Sequence, residues 1–271
     1  MSARFLTVVL ERAFNMRDGF GREIDYMRIS VIDSCNLNCY YCNPCDNNEH
    51  CHALNILSVK EVLGIVRAAT RLGIKHFRLT GGEPLLHPQL DEMVLQIKKI
   101  PGVSSVSLTT NAVLLAQHAK WLKEAGIDSI NVSLDTIDAS EYERITKKPL
   151  LEEVKHGINA AIECGIRVKI NVVLTPQTDV VALTRYVAKK GTGHTNGVEP
   201  YKKVIGTLSK LYGEPCRINT EKTKEINSGN DKRKIPDNGP AEYYIFPELG
   251  IRVGLIQAIH GKFCDTCNRI R

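Results

Sequence analysis

No stretch of this 271-residue chain is apolar for long enough to cross a membrane. The run from Met1 to Leu10 is too brief for a secretory leader and is broken by Glu11 and Arg12. Charge of one sign is also in short supply, because a net +6 is no more than a solubility margin. Positive charge is concentrated from Tyr201 to Pro240, which carries nine Lys and Arg against five acids. That segment reads either as a solvated connection or as an anion site. Aromatics are 6% of the chain and do not interleave with those cations as a single-strand nucleic-acid platform requires. Membrane and nucleic acid are therefore not expected partners. Cysteine, by contrast, is plentiful, but nine is an odd number and no leader accompanies it. A disulfide framework is thus not expected, and thiols bound to metal in a reducing cytoplasm are.

Three of those cysteines stand in Cys35-Asn-Leu-Asn-Cys39-Tyr-Tyr-Cys42, directly after the strand-like run Met27 to Ile32. Three thiolates on one loop suit a four-iron cubane, with the fourth iron left open for chemistry. A zinc site would want a fourth ligand, and no second half lies at the usual separation. The remaining reading is three inert core thiols, which three cysteines within eight residues rarely are. A Cys-x-x-Cys at Cys264 and Cys267 is compatible with redox, zinc or iron–sulfur use. Cys45 and Cys51 read either as an auxiliary metal pair with His50 or His52, or as loop thiols.

Strand-like runs at Met27–Ile32, Lys75–Thr80, Ser104–Thr109, Ser129–Leu134 and Arg167–Leu174 alternate with helical stretches. Alternation of this kind predicts βαβ units around a parallel sheet. Ser58 and Glu61 form a capping-box pattern opening a helix that Gly73 closes, and Leu151 to Cys164 has helical apolar spacing. With a sixth unit after Asp179 to Lys190, the expected architecture is a partial α/β barrel of six βα units, open rather than closed. It occupies residues 1–190, followed by a variable basic connection at 191–238 and a short segment at 239–271. Residues able to do chemistry fall just after the strands: the Cys35 triad, Gly81-Gly82-Glu83, Asn111, and Ser133 with Asp135. Ligands of parallel α/β folds bind at the carboxyl ends of strands, so these groups are expected to converge.

Taken singly, each motif has a plainer reading. Gly81-Gly82-Glu83-Pro84 could be a simple turn, although glycines also admit close approach to a ligand. Thr109, Asn111 and Ser133 could merely satisfy strand-end backbone, and Tyr41 could merely shield a cluster. Arg28, Arg78 and Lys169 alternate with apolar residues inside strands, where a cation is costly without an anionic partner.

Together these motifs resemble a radical S-adenosylmethionine (SAM) enzyme, specifically the GTP 3′,8-cyclase family of molybdenum cofactor biosynthesis. The resemblance runs from Gly21-Arg22-Glu23-Ile24-Asp25-Tyr26-Met27-Arg28-Ile29-Ser30 through the triad and Arg78-Leu79-Thr80-Gly81-Gly82-Glu83-Pro84-Leu85. It continues in Thr109-Thr110-Asn111, Asn131-Val132-Ser133-Leu134-Asp135, Val168-Lys169-Ile170-Asn171, Gly239-Pro240-Ala241 and the terminal Cys-x-x-Cys-Asn-Arg-x-Arg. It implies a radical SAM barrel with a [4Fe-4S] cluster on Cys35, Cys39 and Cys42, and a second on Cys264 and Cys267. SAM would be held by Tyr41, Gly81, Gly82, Glu83, Thr109, Asn111 and Ser133. GTP would be held by Arg28, Arg78, Lys169, Arg269 and Arg271, and an electron donor protein would reduce the cluster. The implied reaction removes the ribose 3′ hydrogen of GTP and closes the sugar onto guanine C8, giving 3′,8-cyclo-7,8-dihydro-GTP.

The family carries a third second-cluster cysteine about a dozen residues after its Cys-x-x-Cys, whereas this chain stops four residues after Cys267. The resemblance therefore implies an incomplete second cluster and impaired turnover. It leaves open another radical SAM activity such as peptide modification, and a non-catalytic nucleotide- or metal-binding remnant.

Overall fold

The computed structural model describes residues 16–19, 21–42, 56–175, 177–190, 195–197, 201–218, 242–246, 248, 251–255 and 269–270. Cys45, Cys51, Cys264, Cys267 and Arg271 lie outside the described residues. The first half is a regular alternation: β1 (Tyr26–Ser30), α1 (Val59–Arg71), β2 (His76–Thr80), α2 (Leu90–Lys98), β3 (Ser105–Thr110), α3 (Leu115–Glu124) and β4 (Ser129–Ser133). Two helices follow, α4 (Ala139–Thr146) and α5 (Leu151–Glu163), then β5 (Arg167–Asn171) and α6 (Val180–Lys189). The expected strands are present with ends shifted by a few residues. The α1 capping box forms in both halves, with Glu61 N–H on Ser58 Oγ and Ser58 N–H on Glu61 Oε2.

Residues 191–238 differ from expectation. They contain β6 (Thr195–Gly197), α7 (Tyr201–Tyr212) and β7 (Cys216–Ile218). The sheet therefore crosses position 190, and regular structure occupies part of what reads as a connection. The helical candidate Val204–Leu211 falls inside α7. After it come β8 (Glu242–Phe246), β9 (Ile251–Leu255) and β10 (Arg269–Ile270). The strand order is β10-β1-β2-β3-β4-β5-β6-β9-β8-β7, with β10 parallel to β1 and the two pairs made by β8 antiparallel.

Alternation within β1–β5 explains how this sheet is used. Ile29, Phe77, Leu79, Val106, Leu108, Ile130, Val132, Val168 and Ile170 are buried against the helices. Each such side chain contributes roughly 1.5–3 kcal/mol. The alternate positions are polar, as in Arg28, Arg78, Ser107, Thr109, Asn131 and Lys169. Parallel strands sandwiched between helices are apolar on both faces, so a polar second face belongs to a sheet with an unfilled side. That side is the concave lumen of an open barrel.

Candidate active site at the carboxyl ends of the strands

The loop after β1 carries the three thiols, and the turn after β2 holds its start in place. Gly82 N–H donates to Ile32 O (2.7 Å) and Glu83 N–H to Ser34 O (2.7 Å). A Cβ on Gly81 would stand 2.3 Å from Ile32 O, and one on Gly82 would stand 2.2 Å from Ser34 O. The glycines thus permit an approach by the chain's own cysteine loop.

Glu83 is 1% exposed, and protein donors occupy its carboxylate. Oε1 accepts from Thr110 Oγ1 (2.7 Å) and Leu85 N (3.0 Å), and Oε2 accepts from Asn111 N (2.7 Å). Burial raises its pKa, and these three donors oppose the rise by favouring the anion. The carboxylate therefore ties the end of β2 to the end of β3. Asn111, so fixed, donates to Asn36 Oδ1 (2.7 Å) and lies 3.8 Å from Cys35 Sγ. Its own Oδ1 accepts from Val113 N–H, and the next residue, Ala112, is left-handed at φ 65°. Gly157 of α5 lets the helix close on this turn, since a Cβ there would meet Ala112 O at 2.4 Å.

The far side of the loop docks on α4. That helix ends at Lys147, left-handed at φ 60°, so its last carbonyls need donors. Two come from the cysteine loop: Asn38 N–H bonds Thr146 O and Tyr40 N–H bonds Ile145 O, both at 3.1 Å. Arg144, held by Glu141 through two 2.7 Å bonds, lies 5.5 Å from the Tyr40 ring centroid. Tyr41 Oη donates to Asp135 Oδ2 (2.5 Å), and Asp135 Oδ1 accepts from Val173 N (2.8 Å).

Cys35, Cys39 and Cys42 are free thiols, the first and last exposed. Burial raises all three pKa values, most for Cys39, which is pushed up to about 12 with its two neighbours and Asp135 adding to the rise. Three sulfurs whose charges repel one another need a cationic centre to become thiolates together. Among the described residues no three His, Cys, Asp or Glu side chains gather closely enough for one metal ion. A four-iron cubane takes such thiolates one to an iron. The donor set fits the cluster.

On the lumen face, register sets Arg28 beside Arg78, Arg78 beside Ser107, and Thr109 beside Asn131 beside Lys169. Arg78 Nε donates to Ser107 Oγ (3.0 Å) and its guanidinium lies 5.3 Å from the Tyr26 ring centroid. Thr109 Oγ1 and Asn131 Oδ1 are buried without a hydrogen-bond partner. Such atoms cost about 1–3 kcal/mol each, a cost that ligand contact removes. Ser133 is exposed at the end of β4. Arg269 enters through its backbone, which pairs with Tyr26.

The structure thus gathers the triad, the Gly81 turn, Tyr41 and Asn111 at one end, and arranges Arg28, Arg78, Thr109 and Lys169 along the lumen. Sequence reading left Asn36, Asn131 and Arg144 without roles. Ser129-x-Asn131-x-Ser133 carried a signal for Asn131: polar residues at every second position of a strand flanked by apolar ones.

Residues 29–182 match the family model of the Radical SAM superfamily. Over 262 residues the chain is 36% identical to a GTP 3′,8-cyclase of Clostridium perfringens (strain SM101 / Type A), covering 94% of this chain and 80% of that one. A GTP 3′,8-cyclase of Peptoclostridium acidaminophilum is 37% identical, with 94% of this chain and 79% of the relative covered. Among solved structures, Streptococcus suis SuiB superposes with a TM-score of 0.54 at 19% identity, over 65% of this chain and 39% of that one. That likeness concerns the fold alone. No described helix is long and apolar enough to cross a membrane.

Proposed function

Because the chain belongs to the GTP 3′,8-cyclase family of the radical SAM superfamily, we propose that it converts GTP to 3′,8-cyclo-7,8-dihydro-GTP in molybdenum cofactor biosynthesis, using the site at the strand carboxyl ends. Its cofactors are a [4Fe-4S] cluster and SAM. In this reading Cys35, Cys39 and Cys42 ligate the cluster, and the second pair, Cys264 and Cys267, contributes to another. When bound and reduced by an electron donor protein, the cluster with SAM supplies a carbon radical able to take hydrogen from the substrate.

The chain's own residues position the reactants and exclude water. Gly81, Gly82, Tyr41, Asn111 and Ser133 surround SAM, and Thr109 meets it from the lumen. Glu83 serves by holding Thr110 and Asn111 in place. Arg28, Arg78 and Lys169, with Arg269 and Arg271, bind the triphosphate, for which guanidinium forks suit phosphate oxygens. The observation that carries the reading is the polar lumen face, which ends at a three-thiol loop braced on both sides.

Anaerobic reconstitution with iron and sulfide tests it. The wild-type chain should take up iron and form methionine and 5′-deoxyadenosine from SAM with reductant, and Cys39→Ala should lose both. Full SAM cleavage by Cys39→Ala would sink the cluster assignment. GTP affinity should fall with added salt, because screening weakens phosphate contacts.

A further inference from the structure

We infer that Asp135 is a positioning residue which, through Tyr41, holds the third-cysteine end of the metal-binding loop and orients it for SAM. The inference deepens the proposed function and rests on that reading of the cysteine loop. Its basis is geometric. Asp135 leaves the end of β4 and divides its carboxylate between two partners, the Val173 N–H just past β5 (2.8 Å) and the Tyr41 hydroxyl (2.5 Å). Tyr41 immediately precedes Cys42. A single side chain therefore joins the ends of two neighbouring strands to a loop 94 positions away in sequence.

The other attachments of this loop explain why the link is needed. Ser34 is fixed by Glu83 N–H, Asn36 by Asn111, and Asn38 and Tyr40 by the last carbonyls of α4. Beyond Tyr40 the described contacts that pin the loop are the Cys42 N–H to Cys39 O turn bond and the Tyr41 hydroxyl. Among the described residues the hydroxyl is thus the last external tie before Cys42. Tyr41 is 41% exposed and its ring stands edge-on to Tyr40 at 5.4 Å. Ring packing alone therefore does not fix it. The hydroxyl-to-carboxyl hydrogen bond is the constraint that fixes its position.

The test uses the full chain, reconstituted anaerobically. Tyr41→Phe retains the ring and removes the bond. Its SAM dissociation constant should rise about tenfold, the usual scale for one hydrogen bond to a charged group. Iron content and GTP affinity should stay within about twofold of wild type, which a general loss of structure would not allow. Asp135→Ala should weaken SAM binding at least as much, and the double variant no further, because both changes cut one link. In the metal-free chain the Asn38 and Tyr40 amides should exchange about tenfold faster in Asp135→Ala than in wild type. SAM binding by Tyr41→Phe equal to wild type, or additive losses in the double variant, would overturn the inference. Unchanged amide exchange in Asp135→Ala would overturn it independently of any cluster. A wild-type chain that binds no iron would instead remove the reading beneath it.

Discussion

The two faces of the sheet are written in the same strands one residue apart, yet they obey opposite rules. On the helix side, Phe77, Leu79, Val106, Leu108, Ile130 and Val132 are fully buried, and every one is aliphatic or aromatic. On the lumen side, Arg28, Arg78, Ser107, Thr109, Asn131 and Lys169 occupy the alternate positions, and two polar atoms there lack partners. The first face minimises the free energy of the chain alone. The second face leaves Thr109 Oγ1 and Asn131 Oδ1 unpartnered, so part of its polar capacity is open to a ligand. A register slip of one residue would exchange the two faces, so the apolar face also fixes where the lumen cations stand.

The contrast can be broken most strongly from the helix side. Leu108→Ala should destabilise the fold by about 2–5 kcal/mol, through lost burial and an unfilled cavity. Denaturant unfolding measures this, and activity per folded molecule should change much less. On the lumen side the balance reverses. Arg78→Ala should weaken GTP binding by about tenfold or more, as loss of a charged hydrogen-bonding contact does, while its unfolding free energy moves by about 1 kcal/mol, the scale of losing the Ser107 bond and the Tyr26 contact.

A sharper version removes an orphaned atom. Thr109→Val should leave stability unchanged or raise it by up to about 1 kcal/mol, because a buried hydroxyl without a partner disappears. SAM cleavage should nevertheless slow. A variant that loses stability and keeps full activity would show that Thr109 belongs to the fold and not to the site.

The smallest effect concerns the opposite end of the strands. His76 Nδ1 lies 2.8 Å from Ser105 Oγ, its ring is half-buried, and burial lowers its pKa despite Asp25 at 3.9 Å. The unfolded chain then binds a proton there before the folded chain does. Stability contributed by the neutral ring is present above the ordinary value of 6.5 and is lost as pH falls below it. His76→Gln should flatten that slope in pH-dependent melting, with little effect on SAM cleavage at neutral pH.

Much of the first 190 residues was legible beforehand for a local reason. Ser58 and Glu61 cap α1 through groups three residues apart, and Gly73 closes it at φ 92°. Alternation in Ser129–Ser133 or Arg167–Asn171 likewise needs no distant partner to be read. The strands of residues 191–255 were harder, because Thr195–Gly197 and Cys216–Ile218 are three residues each and owe their conformation to neighbours across the sheet.

At the site the same boundary recurs. Three thiols at Cys35, Cys39 and Cys42 announce their chemistry by type and spacing, since ligand softness is a property of the residue itself. Residue type and spacing were therefore enough to determine a parallel α/β barrel, a three-thiol loop after its first strand and cations on alternate strand positions. What Glu83, Asn111 and Asp135 do was decided by tertiary structure alone. The resemblance implies that Glu83 contacts SAM, and the fold adds that its carboxylate accepts from Thr110, Asn111 and Leu85. Asp135 meets Tyr41 across 94 residues. A hydrogen bond depends on distance and direction within a few tenths of an ångström, and between residues so far apart in the chain only the packed sheet supplies that geometry.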